Sequence, residues 1–107
     1  MRILKDLDIL DNYNYVEKLI KIASLKNNIT KKEISKEVNC HFTDSYFFTP
    51  LIRFLCENQF IEVDDSRVPH LIKIHRKKLF KFLKKSKLFK QAEIIIENTN
   101  FLGQAIY

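Results

Sequence analysis

Five side chains of this 107-residue chain have the chemistry of soft-metal ligands or nucleophiles: Cys40, His41, Cys56, His70 and His75. A structural zinc site is usually built from close pairs of such residues, and none of the five forms a CxxC or HxxxH pair. No metal site is expected. Cys56 reads as a small apolar residue of the core and Cys40 as a turn thiol, both reduced, because two cysteines are too few for a disulfide framework. A glycine-rich phosphate loop is excluded, since Gly103 is the sole glycine. Serine, histidine and aspartate are all present, but no strand-turn-helix context exposes a nucleophile. Neither catalysis nor a cofactor is expected, and no small-molecule pocket can be read from the sequence.

The chemistry that stands out is electrostatic. Net charge is +6, yet residues 1 to 66 carry nine Lys/Arg against eleven Asp/Glu, and residues 91 to 107 carry only Glu93 and Glu97. The ten remaining basic side chains lie between residues 67 and 90, with no acidic residue among them. A block of this kind repels itself unless it faces a polyanion, so nucleic acid is the first expected partner and an anionic membrane surface the second. A merely solvated basic face is the bland alternative.

The elements that must position this charge belong to one domain. Hydrophobic residues make up 46% and charged residues 30%, with two prolines, which excludes disorder and flexible linkers. No apolar run exceeds three residues, against the roughly 20 that a membrane helix needs. The opening Met-Arg-Ile-Leu-Lys-Asp has no apolar segment long enough for a secretory signal, so the expected compartment is the cytoplasm.

Along the chain, Ile3, Leu4, Leu7 and Leu10 have helical spacing and predict a short amphipathic helix that stops before Asn12. Val16, Leu19, Ile20 and Ala23 predict a second helix over residues 14 to 26, with Asn27 or Asn28 taking the left-handed exit. The sharpest local signal is ITKKEISKEV, residues 29 to 38: Thr30 caps, Glu33 reaches back to the Thr30 backbone, and Ile29 packs on Ile34 across the cap. That helix has about two turns, with Ile34 and Val38 inward, and must lean on its neighbours.

A new start follows at Thr43, with Asp44 at the positive helix end and Phe42 stapled onto Phe47. Phe48, Leu51, Ile52 and Leu55 mark the inward face; Tyr46, Thr49, Pro50 and Arg53 mark the outward one. Pro50 then lies mid-helix and should kink it; the alternative starts the helix at Thr49. Residues 60 to 63 and 70 to 74 are β-branched and apolar around a turn-rich connection, which predicts a β-hairpin. From His75 the pattern is helical again, with Leu79, Phe82 and Leu83 inward; one bent helix or two are both allowed after Ser86. The tail, residues 101 to 107, is apolar and is expected to dock on the core or on another subunit. Of thirteen aromatic residues, Phe47, Phe48, Phe54, Phe60, Phe80 and Phe82 fall on or beside core faces.

This order of elements, with LIRFLCENQFIEV (residues 51 to 63) running from a helix end into a strand, resembles the winged helix-turn-helix superfamily, as in MarR-type and related prokaryotic transcriptional regulators. The resemblance covers residues 14 to 85 and implies a mainly α fold with a small β-hairpin. Residues 1 to 12 and 86 to 107 become dimerisation or docking extensions. The family's usual glycine before the first wing strand is replaced here by Asn58-Gln59.

The resemblance implies sequence-specific binding of double-stranded DNA by a homodimeric transcriptional regulator. Its second helix would lie in the major groove while flanking elements hold phosphates. Arg53 would then meet guanine, Thr49 a thymine methyl or a phosphate, Tyr46 a phosphate, and Ser45 the helix start where phosphate is favoured. Lys31 and Lys32 would contact the DNA backbone, and Arg67 and Lys73 would serve the hairpin. Two rivals come from other classes: a protein-interaction module using exposed Phe47 or Phe54, and a basic surface that lies on an anionic membrane.

Overall fold

The computed structural model of the protein describes residues 3–66 and 68–98, and capping chemistry sets most of its element boundaries. Helix α1 (Asp6–Leu10) opens where the Asp8 carboxylate accepts the Lys5 backbone N–H at 2.8 Å. Leu4 and Ile9 are buried, whereas Ile3 and Leu7 are exposed. The spacing predicts Leu7 inward. Extended backbone at Lys5 (φ −106°, ψ 166°) separates Leu4 from the helix and resets its phase, so Ile9 turns to the core instead.

Asn12 opens α2 (Tyr13–Ala23) by accepting the backbone N–H groups of Asn14 and Tyr15. Val16, Leu19, Ile20 and Ala23 are buried as their spacing predicts, and Tyr15 and Ile22 join them. The helix ends before residue 26, at the C-cap Ser24, whose buried hydroxyl donates back to the Ile20 carbonyl at 2.9 Å. Asn28 does take a left-handed conformation (φ 62°), but it turns the chain into strand β1 (Ile29–Thr30), not out of the helix. Two residues carry no alternation, so the sequence alone does not mark this strand.

Helix α3 (Lys31–Glu37) carries the predicted capping box: Thr30 Oγ1 accepts the Glu33 N–H at 3.1 Å and Glu33 accepts the Thr30 N–H at 3.0 Å. Ile34 and Val38 are fully buried. The helix closes at Asn39 (φ 57°), where the Cys40 N–H reaches the Ser35 carbonyl and the Asn39 N–H reaches that of Lys36. That pairing satisfies two end carbonyls in a Schellman closure.

Helix α4 (Phe48–Glu57) starts neither at Thr43 nor at Thr49. Thr43 Oγ1 lies 2.6 Å from His41 Nδ1, and Asp44 holds the turn ahead of the helix, its Oδ1 accepting the N–H groups of Tyr46 (2.8 Å) and Phe47 (3.0 Å), while Phe47 at the N-cap position has no side-chain cap. The predicted mid-helix kink is therefore absent from α4: Pro50 is buried in the first turn, where a missing N–H costs no helical hydrogen bond. Phe47 stacks on Tyr15 of α2, with centroids 4.5 Å apart, instead of stapling to Phe42. At the far end Gln59 (φ 56°) does the work usually left to glycine, while the Phe60 N–H bonds to the Leu55 carbonyl and the Gln59 N–H to that of Cys56.

Strands β2 (Ile61–Asp64) and β3 (Leu71–Ile74) form the predicted hairpin, in register from Ile61 opposite Ile74 to Asp64 opposite Leu71. The sheet nevertheless has three antiparallel strands in the order β1-β3-β2, because Ile29 and Thr30 pair with Ile72 and Leu71. Two helices follow, α5 (Arg76–Leu83) and α6 (Phe89–Asn98), so the open choice after Ser86 resolves to a break. Buried Ser86 makes it, donating to the Leu10 carbonyl and accepting the Leu88 N–H. Leu79, Phe82 and Leu83 are buried, and Phe82 meets Phe54 and Phe60 in an aromatic cluster joining α4, the sheet and α5. The described residues thus form a mixed α/β domain of six helices and one three-stranded antiparallel sheet. The apolar tail lies outside them.

Candidate nucleic-acid interface

Lys31 and Lys32 occupy the exposed first turn of α3, where the capping box holds the backbone. Lys32 Nζ stands 5.7 Å from the centre of the Phe42 ring, which ties the following turn to this helix. Across a cleft of about 320 Å³ from Lys31, Lys32 and Phe42 lie Val68, Pro69 and His70, the returning limb of the hairpin. The three-stranded sheet makes that approach possible, since β1 leads into α3 and β3 pairs directly with β1. Lys31 and Lys32 are thus brought beside the hairpin. Arg67, placed at its tip by the sequence, lies outside the described residues.

The other candidates fall less neatly. Tyr46 is 87% exposed and Ser45 is exposed as well, but both occupy the Asp44-capped turn ahead of α4. Ser45 therefore does not stand at the helix start, three residues on. Thr49 is half-buried within the first turn, its N–H bonded to the Asp44 carbonyl, and so it is not on a fully open face. Pro50, expected outward, is buried. Arg53 does lie exposed on α4, with its Nε 2.7 Å from Glu57 Oε1, so any base contact must compete with that carboxylate. Lys73 is exposed on β3 directly opposite Glu62 of β2, whose Oε1 is also 3.3 Å from His75 Nε2.

Electrostatics divide this surface from the rest of the chain. Residues 29 to 66 contain four Lys/Arg and seven Asp/Glu. Several of these acids hold backbone: Glu33 caps, Asp44 holds the turn ahead of α4, and Asp64 accepts from the Ser66 N–H and hydroxyl. Hydrogen bonds from the Thr30 backbone, then from its side chain, hold the Glu33 carboxyl below its ordinary value, so it stays ionised beside Lys31 and Lys32.

Sequence reasoning could not sort the basic block, and the structure does. Arg76 donates to the Leu25 carbonyl just past α2, while Lys78 donates to the Asn58 carbonyl at the end of α4 (2.9 Å) and stands over the Phe60 ring. Lys18 serves α3 in the same way, donating to the Val38 carbonyl at 2.8 Å. These are cations at helix C-termini, where they complete orphan carbonyls and meet the negative end of the dipole. Their partners are distant in sequence, so no local signal marks them. Lys77, Lys81 and Lys84 remain exposed along a second cleft, of about 530 Å³, against Phe80 and Phe89.

Cys56 is half-buried and burial pushes its thiol up, as suits an unreactive packing residue. Among the described residues no three His, Cys, Asp or Glu side chains are grouped so as to hold a metal ion. None of the described helices is long and apolar enough to cross a membrane. Comparison with family models, curated proteins and solved structures finds no match.

Proposed function

We propose that the chain is a winged helix-turn-helix domain that binds double-stranded DNA and regulates transcription, without catalysis or cofactor. One observation carries this reading: the sheet order β1-β3-β2 sets the returning limb of the hairpin across a cleft from Lys31 and Lys32 at the start of α3. Helix pair and hairpin can then meet one duplex together. In this reading α3 crosses the backbone with Lys31 and Lys32 on phosphates, and α4 enters the major groove with Arg53 toward a guanine. Tyr46 and Ser45 contact a phosphate from the preceding turn, and Arg67 and Lys73 belong to the hairpin contact. Thr49, half-buried, contributes at the margin. A homodimer in the cytoplasm, reading two half-sites, is part of the same proposal. Exposed Ile3, Leu7 and Ile94 in the terminal extensions are consistent with that assembly.

The alternative of a protein-interaction module is weakened at its starting point, because Phe54 is only 3% exposed and Phe47 is stacked on Tyr15. The deciding experiment selects a preferred duplex from a random pool and measures its binding by fluorescence anisotropy. Arg53→Ala should weaken the preferred duplex by about 1–3 kcal/mol and relax the preference at one base pair. An unaltered preference removes α4 from the interface.

A further inference from the structure

We infer that the chain carries a second nucleic-acid contact, independent of base sequence, on α5 and the start of α6, where phosphodiester backbone runs along Lys77, Lys81 and Lys84. The inference rests on nucleic acid being the partner, but not on α4 reading bases. Charge complementarity carries it. The α3–α4 segment and β2 are acidic on balance, whereas residues 67 to 90 hold ten basic side chains and no acidic one. Arg76 and Lys78 are committed to the carbonyls of Leu25 and Asn58. Lys77, Lys81, Lys84, Lys85, Lys87 and Lys90 are exposed, and among the side chains described, which run to residue 94, none lies within ion-pair distance of an acid.

The arrangement is linear as well as basic. Lys77, Lys81 and Lys84 follow one side of α5 at helical spacing, and seven residues of helix advance about 10 Å. Each lysine brings one positive charge on a long flexible stem, so a backbone running beside the row can have up to three phosphates neutralised. Phe80 and Phe89 meet edge to face, centroids 6.2 Å apart, and floor the cleft beside these lysines. An apolar wall next to a row of like charges focuses the field toward a polyanion. One acidic side chain, Glu93, lines the cleft.

The test compares the full chain with Lys77→Gln/Lys81→Gln/Lys84→Gln and, separately, Lys31→Gln/Lys32→Gln. Anisotropy is read on a random-sequence duplex and on a single strand of equal length, at about 50 and 200 mM salt, with thermal unfolding to establish that each variant is folded. With three phosphate contacts removed, the fall in affinity between the two salts should shrink about 40-fold on duplex or about 20-fold on single strand. The form with the larger effect is the ligand of this face. An unchanged salt dependence in the triple variant overturns the inference even if Arg53→Ala alters base preference. Conversely, loss of salt dependence while Arg53→Ala leaves preference untouched supports this face and overturns the α4 reading. Tight binding to phosphatidylserine vesicles with none to either nucleic acid overturns both.

Discussion

Thr30 and Glu33 show how much a few atoms decide: each side chain satisfies the other's backbone N–H, and α3 begins there. Thr30→Ala should destabilise the domain by about 1 kcal/mol, read from denaturant midpoints at constant slope. The Glu33 carboxyl is held below its ordinary value of 4.5, so the folded state favours its ionised form. Its contribution is therefore complete above that value and fades as pH falls through the lower folded value. The stability gap between the wild type and Glu33→Gln should hold steady well above pH 4.5 and narrow as pH falls below it; a constant gap would show the box to be insensitive to the charge. Gln59 gives a second residue-level test. Its φ of 56° lies where a Cβ is disfavoured, and glycine has no Cβ. Gln59→Gly should raise stability by about 0.5–1 kcal/mol, visible as an upward shift in Tm, the left-handed penalty outweighing glycine's entropy in the unfolded chain.

Helix α4 shows why a boundary is hard to read from one side. Thr43 and Thr49 both look like caps, yet Asp44 holds the N–H groups of Tyr46 and Phe47, and the helix begins at Phe48. Pro50 then falls in the first turn without disturbing the ladder. Asp44→Ala should cost about 1–2 kcal/mol and loosen the 44–47 turn. Faster amide exchange at Tyr46 and Phe47, with the core of α4 still protected, would report that loosening; uniform exchange throughout α4 would argue against a local role. If the turn also carries Tyr46 to a phosphate, the same variant should weaken DNA binding by more than its fold loss explains.

Across the whole molecule, Phe54 of α4, Phe60 just ahead of β2 and Phe82 of α5 pack together, so the foot of the hairpin is held to helices on either side of it in sequence. Phe82→Ala should destabilise by about 3–5 kcal/mol, measured by urea unfolding. A loss below about 1.5 kcal/mol would mean the cluster is slack. Long-range polar ties reinforce the aromatic one: Ser86 to Leu10, Arg76 to Leu25 and Asn27 to the Ile74 N–H. The radius of gyration, 13.0 Å, is that of a well-packed chain of this length.

What the sequence determined by itself was set by interactions within a few residues. The α3 cap and the buried faces of α2 and α5 depend on periodicity and on a cap three residues away, and the two hairpin strands show as short β-branched runs around a turn-rich connection, whereas their register is set only by their pairing. The concentration of charge between residues 67 and 90 is equally plain in the sequence. What only the tertiary structure decided depends on distant groups. β1 exists because Ile72 and Leu71 pair with Ile29 and Thr30, and Leu7 yields its inward place to Ile9 once Lys5 is extended. Tertiary contact also divides the basic block, because Arg76 and Lys78 find carbonyls far away in sequence while Lys77, Lys81 and Lys84 do not. Two lysines one position apart look alike in a sequence; the helix turns one toward a carbonyl and the other toward solvent, about 100° around its axis.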